Sequence, residues 1–136
     1  MIIIPDASAV GRFLLPDEDR VEAGFAIATC NSFALHVPPH WFIEVSSLIV
    51  KAHRRGRFDA DQMKEIGRNA SKLAGSVTVE PETTPAQLVS AAMVHGLSAY
   101  DVSYLLLAQR LAAPLLAFDG KLKRAALANG MEVLTP

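Results

Sequence analysis

Short apolar runs alternate with helically spaced stretches along the whole chain, and this alternation restricts the possible folds more than any other feature. Residues 2–4 are Ile-Ile-Ile, a β-branched run closed by Pro5, and residues 33–37, 77–79, 115–118 and 132–134 are four further runs of strand length. The first is apolar at every position, which suits a strand covered on both faces in the middle of a parallel sheet. Helical patterns fill the intervals. Residues 17–31 carry Val21, Phe25 and Ala28 at helical spacing behind the acidic start Asp17-Glu18-Asp19. Residues 40–55 place Trp41, Glu44, Val45, Leu48 and Ala52 on one face and meet Gly56 where a C-terminal cap belongs. Residues 59–73 open on Asp59 as an N-cap, and residues 84–96 open on Thr84-Pro85 and end at Gly96. Residues 98–113 open on Ser98 and stop before Pro114, and residues 121–129 end at Gly130. Such alternation predicts an α/β fold, a single domain over residues 1–136, with a mostly parallel sheet of about five strands between helices.

Composition narrows the function classes. A formal net charge of -1 over 136 residues argues against a chain that grips nucleic acid by overall basicity, so any such contact must come from local patches. The apolar fraction of 51% is slightly high for so small a chain and leaves surface for a partner to cover. A single cysteine, Cys30, cannot form an internal disulfide and fits a reducing compartment. Residues 1–6 lack the basic and apolar regions of a signal peptide, and no apolar run reaches membrane-spanning length, so the expectation is a soluble, cytoplasmic protein with no membrane partner. Neither glycine-rich nucleotide-binding pattern, G-x-G-x-x-G or G-x-x-x-x-G-K-[ST], is present.

Chemistry points to the carboxylates. Sites in open α/β sheets form beyond the C-terminal ends of the strands, where Asp6 and Asp119 directly follow apolar runs. Glu44 is the only charge between Trp41 and Val50 and shares a helical face with core residues, an expensive place for a carboxylate that has neither a partner nor a metal. Asp101 lies three residues after Ser98 at a helix start. Read singly, each has an ordinary structural alternative: Asp6 and Asp119 as helix N-caps, Asp101 as a capping partner of Ser98, and Glu44 in contact with His40 or a cation from elsewhere. Read together, four carboxylates offered to one crevice make a hard oxygen site suited to Mg²⁺ or Mn²⁺. Such ions stabilise the attacking and leaving oxygens in phosphodiester hydrolysis. A phosphoacceptor, receiver-like module shares the layout, but the paired acidic residues expected after its first strand are missing.

The segments Ile3-Ile4-Pro5-Asp6-Ala7-Ser8, Glu44-Val45-Ser46-Ser47-Leu48, Leu97-Ser98-Ala99-Tyr100-Asp101-Val102-Ser103-Tyr104 and Phe118-Asp119-Gly120-Lys121-Leu122 resemble the four motifs of PIN-domain ribonucleases, toxins of the VapC type. The resemblance spans nearly the whole chain and implies a three-layer α/β/α sandwich. It also implies a metal-dependent endoribonuclease, using Mg²⁺ or Mn²⁺ held by Asp6, Glu44, Asp101 and Asp119, that is usually a homodimer and is neutralised by a cognate antitoxin. The intact carboxylates argue against a catalytically silent PIN-like binding or scaffolding protein. One position departs: Ser47 stands where the family often has Asn. Ser8 matches the usual hydroxyl of the first motif and has a local turn contact as its alternative.

For RNA contact, Lys51, Arg54, Arg55 and Arg57 form one basic cluster and Lys121, Lys123 and Arg124 another, each with a solvated helix face as the alternative. Ser8, Arg54, Arg55 and Lys121 are the candidate substrate-binding residues. His36, His40, His53 and His95 show no metal-ligand spacing and read as structural or surface residues, while Trp41 and Tyr104 read as core.

Overall fold

The computed structural model describes residues 1–118 and 120–136. The elements run β1 (Ile2–Pro5), α1 (Ala7–Leu14), α2 (Arg20–Ser32), β2 (Ala34–Val37), α3 (Trp41–Arg54), α4 (Ala60–Ala74), β3 (Thr78–Val79), α5 (Pro85–His95), α6 (Ala99–Leu111), β4 (Leu115–Leu116), α7 (Lys121–Ala128) and β5 (Val133–Leu134). The five strands form one sheet in the order β3-β2-β1-β4-β5, and all four pairings are parallel. The expected α/β fold with a parallel five-stranded sheet is what the chain adopts.

Hydrophobicity decides which strand is central. Ile3 and Ile4 of β1 and Leu115 and Leu116 of β4 are fully buried, which requires helices on both faces. Helices α1, α3 and α4 pack against one another, α5 packs on α6 and α6 on α7, and β1 touches both α1 and α6. Right-handed crossovers place the two helix groups on opposite faces. From β1 the chain steps outward through β2 to β3, then returns past β1 to β4 and β5. The reversal falls between β1 and β4, so the crevice opens at their C-terminal ends.

Asp6 sits directly there. Its backbone N–H donates to the Leu116 carbonyl at 3.1 Å, which pins the first residue after β1 to the end of β4.

One helix was not legible in the sequence. Residues 7–14 form α1 although Gly11 lies in the middle, a residue that weakens an isolated helix by about 1 kcal/mol relative to Ala. The structure shows what Gly11 does: a Cβ there would stand 3.0 Å from Leu48 Cδ1 of α3. The bare backbone permits a close α1–α3 approach, and that approach sets Asp6 and Ser8 beside the first turns of α3, where Glu44 lies.

Candidate active site

Asp6 is 8% exposed and caps α1, as its structural alternative proposed, yet the cap uses only half of the carboxylate. The Ser8 hydroxyl donates to Oδ1 at 2.7 Å and the Ala9 N–H donates to the same atom at 2.8 Å. Among the described residues Oδ2 has no hydrogen-bond or ion-pair partner. Burial pushes the Asp6 carboxyl up to about 6; the two donors pull the other way, and the charges of Asp101 and Glu44 push it further up. The three carboxylates therefore share one electrostatic environment.

Glu44 projects from the first turn of α3. The Tyr104 hydroxyl of α6 donates to its Oε1 at 2.9 Å, and His40 Nε2 comes within 2.8 Å of the same oxygen. This His40 approach lacks the alignment of a hydrogen bond, which leaves Nε2 as a buried atom without a hydrogen-bond partner among the described residues. His40 occupies the N-cap position of α3 without forming a side-chain cap bond. Its ring instead packs edge-on against Tyr100 and Tyr104, with centroids 5.4 and 5.2 Å away. The sequence placed His40 among structural or surface residues, whereas the structure puts it against a site carboxylate, the contact considered as an alternative for Glu44. Tyr104 is 1% exposed, a core residue as expected, but its phenol reaches the site. Burial first, then the Glu44 charge, keeps that phenol protonated far above the ordinary tyrosine range.

Asp101 lies in the first turn of α6, where the Ser98 hydroxyl accepts its backbone N–H at 3.1 Å. Burial, followed by the charge of Glu44, raises its carboxyl above the usual range, while Ser98, His40 and Lys121 act in the opposite direction. Asp119 lies outside the described residues. Among the described residues no three His, Cys, Asp or Glu side chains form a ready-made metal cage. The chemistry of the donors nevertheless fits a hard divalent cation. A mutually repelling set of carboxylates, Asp6 buried and Glu44 and Asp101 half-buried, is held by hydroxyls and one backbone N–H, with no Arg or Lys in hydrogen-bond contact among the described residues.

A groove of about 580 Å³ leads away from this site along α3, lined by Ser8, Glu44, Ser47, Lys51, Arg55 and Tyr100 among others. Lys51 and Arg55 make no ion pair among the described residues. Arg57 and Arg12 also reach the groove but are already committed. Arg57 grips Asp17 at 2.6 and 2.8 Å and Glu18 at 3.1 Å, and Arg12 holds Glu18 and Glu22 at 3.3 and 2.6 Å. Of the first basic cluster, Lys51 and Arg55 are thus the groove-lining members left for a ligand, while Arg54 is exposed at the end of α3. In the second, Lys123 Nζ donates to the Phe118 carbonyl at 3.2 Å, and Lys121 acts on Asp101 through its charge. Two residues near the site had no signal in the sequence. Glu82 accepts the buried Ser103 hydroxyl at 2.6 Å and stands 3.7 Å from His40 Nδ1, and Tyr100 is 60% exposed at the groove rim.

Residues 3–127 match the family model described as the PIN domain. The chain belongs to the PIN-domain family. A curated relative, ribonuclease VapC3 of Pyrobaculum aerophilum, is 26% identical over 123 residues, which cover 90% of this chain and 92% of that protein. Two solved structures share the fold. PAE2754 from Pyrobaculum aerophilum gives a TM-score of 0.71 at 22% identity, covering 92% of this chain and 79% of that one. VapC20 of Mycobacterium tuberculosis, described as a sarcin-ricin loop cleaving toxin, gives 0.70 at 20% identity, covering 98% and 99%. The resemblance carried by the four motifs is thereby borne out, and so is the PIN-like fold. Among the described residues no helix is long and apolar enough to cross a membrane.

Proposed function

We propose that this PIN-domain protein is a metal-dependent endoribonuclease, the toxin of a type II toxin–antitoxin pair acting in the cytoplasm, with residues 1–136 as one domain. The observation that carries the reading is Asp6: a carboxylate at the switch point of a parallel sheet, raised first by burial and further by the charges of Asp101 and Glu44, and paired with no cation among the described residues. Family membership and the VapC3 relative support the same conclusion.

In this reading Asp6, Glu44, Asp101 and Asp119 hold Mg²⁺ or Mn²⁺. When bound, the ion supplies Lewis acidity that stabilises charge on the attacking and leaving oxygens of a phosphodiester. The chain's own contribution is placement. Ser8 fixes Asp6, Tyr104 fixes Glu44, and the groove along α3 receives the RNA strand. Lys51 and Arg55 lie roughly 10 and 16 Å beyond Glu44 along the helix axis, where they meet phosphates flanking the cut. Arg54, exposed at the end of α3, and Lys121, whose charge acts on Asp101, add positive charge for the RNA. The exposed apolar side chains of Val89, Met93 and Val94 on α5 offer surface to a protein partner, a second copy of the chain or the antitoxin.

The purified protein is expected to cleave RNA with Mg²⁺ or Mn²⁺ and to lose that activity in EDTA. Cleavage that persists unchanged in EDTA overturns the mechanism. Light scattering after size exclusion tests the homodimer: a monomeric mass at micromolar concentration removes it.

A further inference from the structure

Two of the site carboxylates, Asp6 and Glu44, are restrained in the same way. Asp6 receives both of its hydrogen bonds on Oδ1, from Ser8 and Ala9, and Glu44 receives Tyr104 and the close approach of His40 on Oε1. In each case the second oxygen has no partner among the described residues. For Asp6 the donors are local, two and three residues away. For Glu44 the donor comes from α6, 60 residues away, and is buried. The His40 ring is itself enclosed by Tyr100, Tyr104 and Glu82, and Glu82 is tied to the buried Ser103. A chain of contacts from Ser103 through Glu82 and His40 thus ends on the oxygen that Tyr104 also holds.

A carboxylate tied at one oxygen is held in one orientation and offers its untied oxygen to an ion more readily than the tied one. Ca²⁺ accepts one or two oxygens per carboxylate in a loose shell, whereas Mg²⁺ demands a small, near-octahedral one. We infer that Tyr104 and His40 are positioning residues that hold Glu44 by Oε1, as Ser8 and Ala9 hold Asp6 by Oδ1, and that leaving one untied oxygen on each carboxylate biases the site toward Mg²⁺ or Mn²⁺ over Ca²⁺. The inference rests on the proposed metal site and adds to it which residues govern its selectivity.

The test is direct ion binding, not cleavage. Calorimetric titration with MgCl₂, MnCl₂ and CaCl₂ is run on the wild-type protein, Tyr104→Phe, His40→Gln and Asp6→Asn, with a metal-free thermal melt of each. Tyr104→Phe keeps the buried ring and removes only the donor. It is expected to weaken Mg²⁺ and Mn²⁺ binding by about 10- to 100-fold, the usual cost of losing a partner of a metal ligand. Ca²⁺ binding falls less, so the Ca²⁺/Mg²⁺ affinity ratio rises. His40→Gln shifts the ratio the same way by a smaller factor, because the His40 contact is not an aligned hydrogen bond. A purely structural role predicts a lower metal-free melting temperature with all three affinities unchanged or reduced equally, and either result overturns the inference. If Asp6→Asn also binds the ions as tightly as the wild type, the metal-site reading itself falls, and the inference with it. If Asp6→Asn loses the ions while Tyr104→Phe keeps the wild-type ratio, the positioning role alone is wrong.

Discussion

Among the described residues, two groups of carboxylates are handled in opposite ways. Asp17 and Glu18, just before α2, and Glu22 in its first turn are answered by Arg57 and Arg12 in a partly exposed network of ion pairs. The carboxylates of Asp6, Glu44 and Asp101 are answered by the hydroxyls of Ser8, Tyr104 and Ser98 and by the Ala9 N–H and, among the described residues, by no arginine. A carboxylate neutralised by arginine is a surface contact of small net worth. A buried one braced by neutral donors keeps its charge and its cost. The first cluster ties the approach to α2 to the turn after α3; the second holds unfavourable charge where an ion can relieve it.

The largest expected contrast is in cleavage. Asp6→Asn, whose amide oxygen still accepts from Ser8 and Ala9, should reduce RNA cleavage by more than about 100-fold, beyond the range for partners of metal ligands. Turnover of a fluorogenic RNA measures it, and near wild-type turnover would place Asp6 in the same structural class as Asp17.

Stability separates the clusters next. The Asp6 carboxyl is raised in the folded protein, to about 6 from 3.8, so the folded state binds the proton more tightly than the unfolded chain. Stability in metal-free buffer therefore falls as pH rises from about 4 to 6, and the full penalty, up to about 3 kcal/mol, is present above that window. Asp6→Asn removes the titrating group. It should be more stable than the wild type at pH 7 and indistinguishable near pH 4 in urea titrations; an equal advantage at both values would mean the gain is not electrostatic.

A smaller effect is expected in the groove. Arg55→Ala should weaken RNA binding and flatten the salt dependence by about 0.7 in the log–log slope, one single-strand phosphate contact. An unchanged slope removes Arg55 from the strand's path. The smallest effect belongs to the paired cluster, where Asp17→Asn should cost less than about 1 kcal/mol and leave cleavage untouched. Loss of cleavage there would erase the distinction between the clusters.

Much of the α/β order was readable because each strand is a short apolar run and most helices begin and end on recognisable caps. Asp59 with Gln62 and Thr84 with Gln87 form capping boxes in the structure, and Gly96 ends α5 in the left-handed conformation. Helix α1 was not readable, because the use of Gly11 depends on Leu48, which is distant in sequence. Within the site, Asp6 and Glu44 stood out as carboxylates in apolar settings, and Asp101 through its helix-start position and its motif. His40 and Tyr104 did not, since an aromatic residue at helical spacing looks the same whether its polar edge meets a carboxylate or nothing. Arg57 shows the reverse: a basic residue beside other basic residues reads as a ligand contact until its acidic partners, about 40 residues away, are seen.

The central claim, that these carboxylates form one cation site, is tested most directly by Asp101→Asn melted with and without Mn²⁺. Ser98 already caps α6 through the Asp101 backbone N–H, so the cap survives the substitution. The Asp101 carboxyl is raised, first by burial and then by the Glu44 charge, so its charge is a net burden in the folded state, opposed by the roughly 0.3 to 1 kcal/mol that an acid contributes at a helix N-terminus. The account predicts a higher metal-free melting temperature than the wild type and a diminished rise on adding Mn²⁺, since an ion stabilises only in proportion to its binding to the folded state. A lower metal-free melting temperature with an undiminished Mn²⁺ response would contradict it and leave Asp101 as a helix-start residue alone.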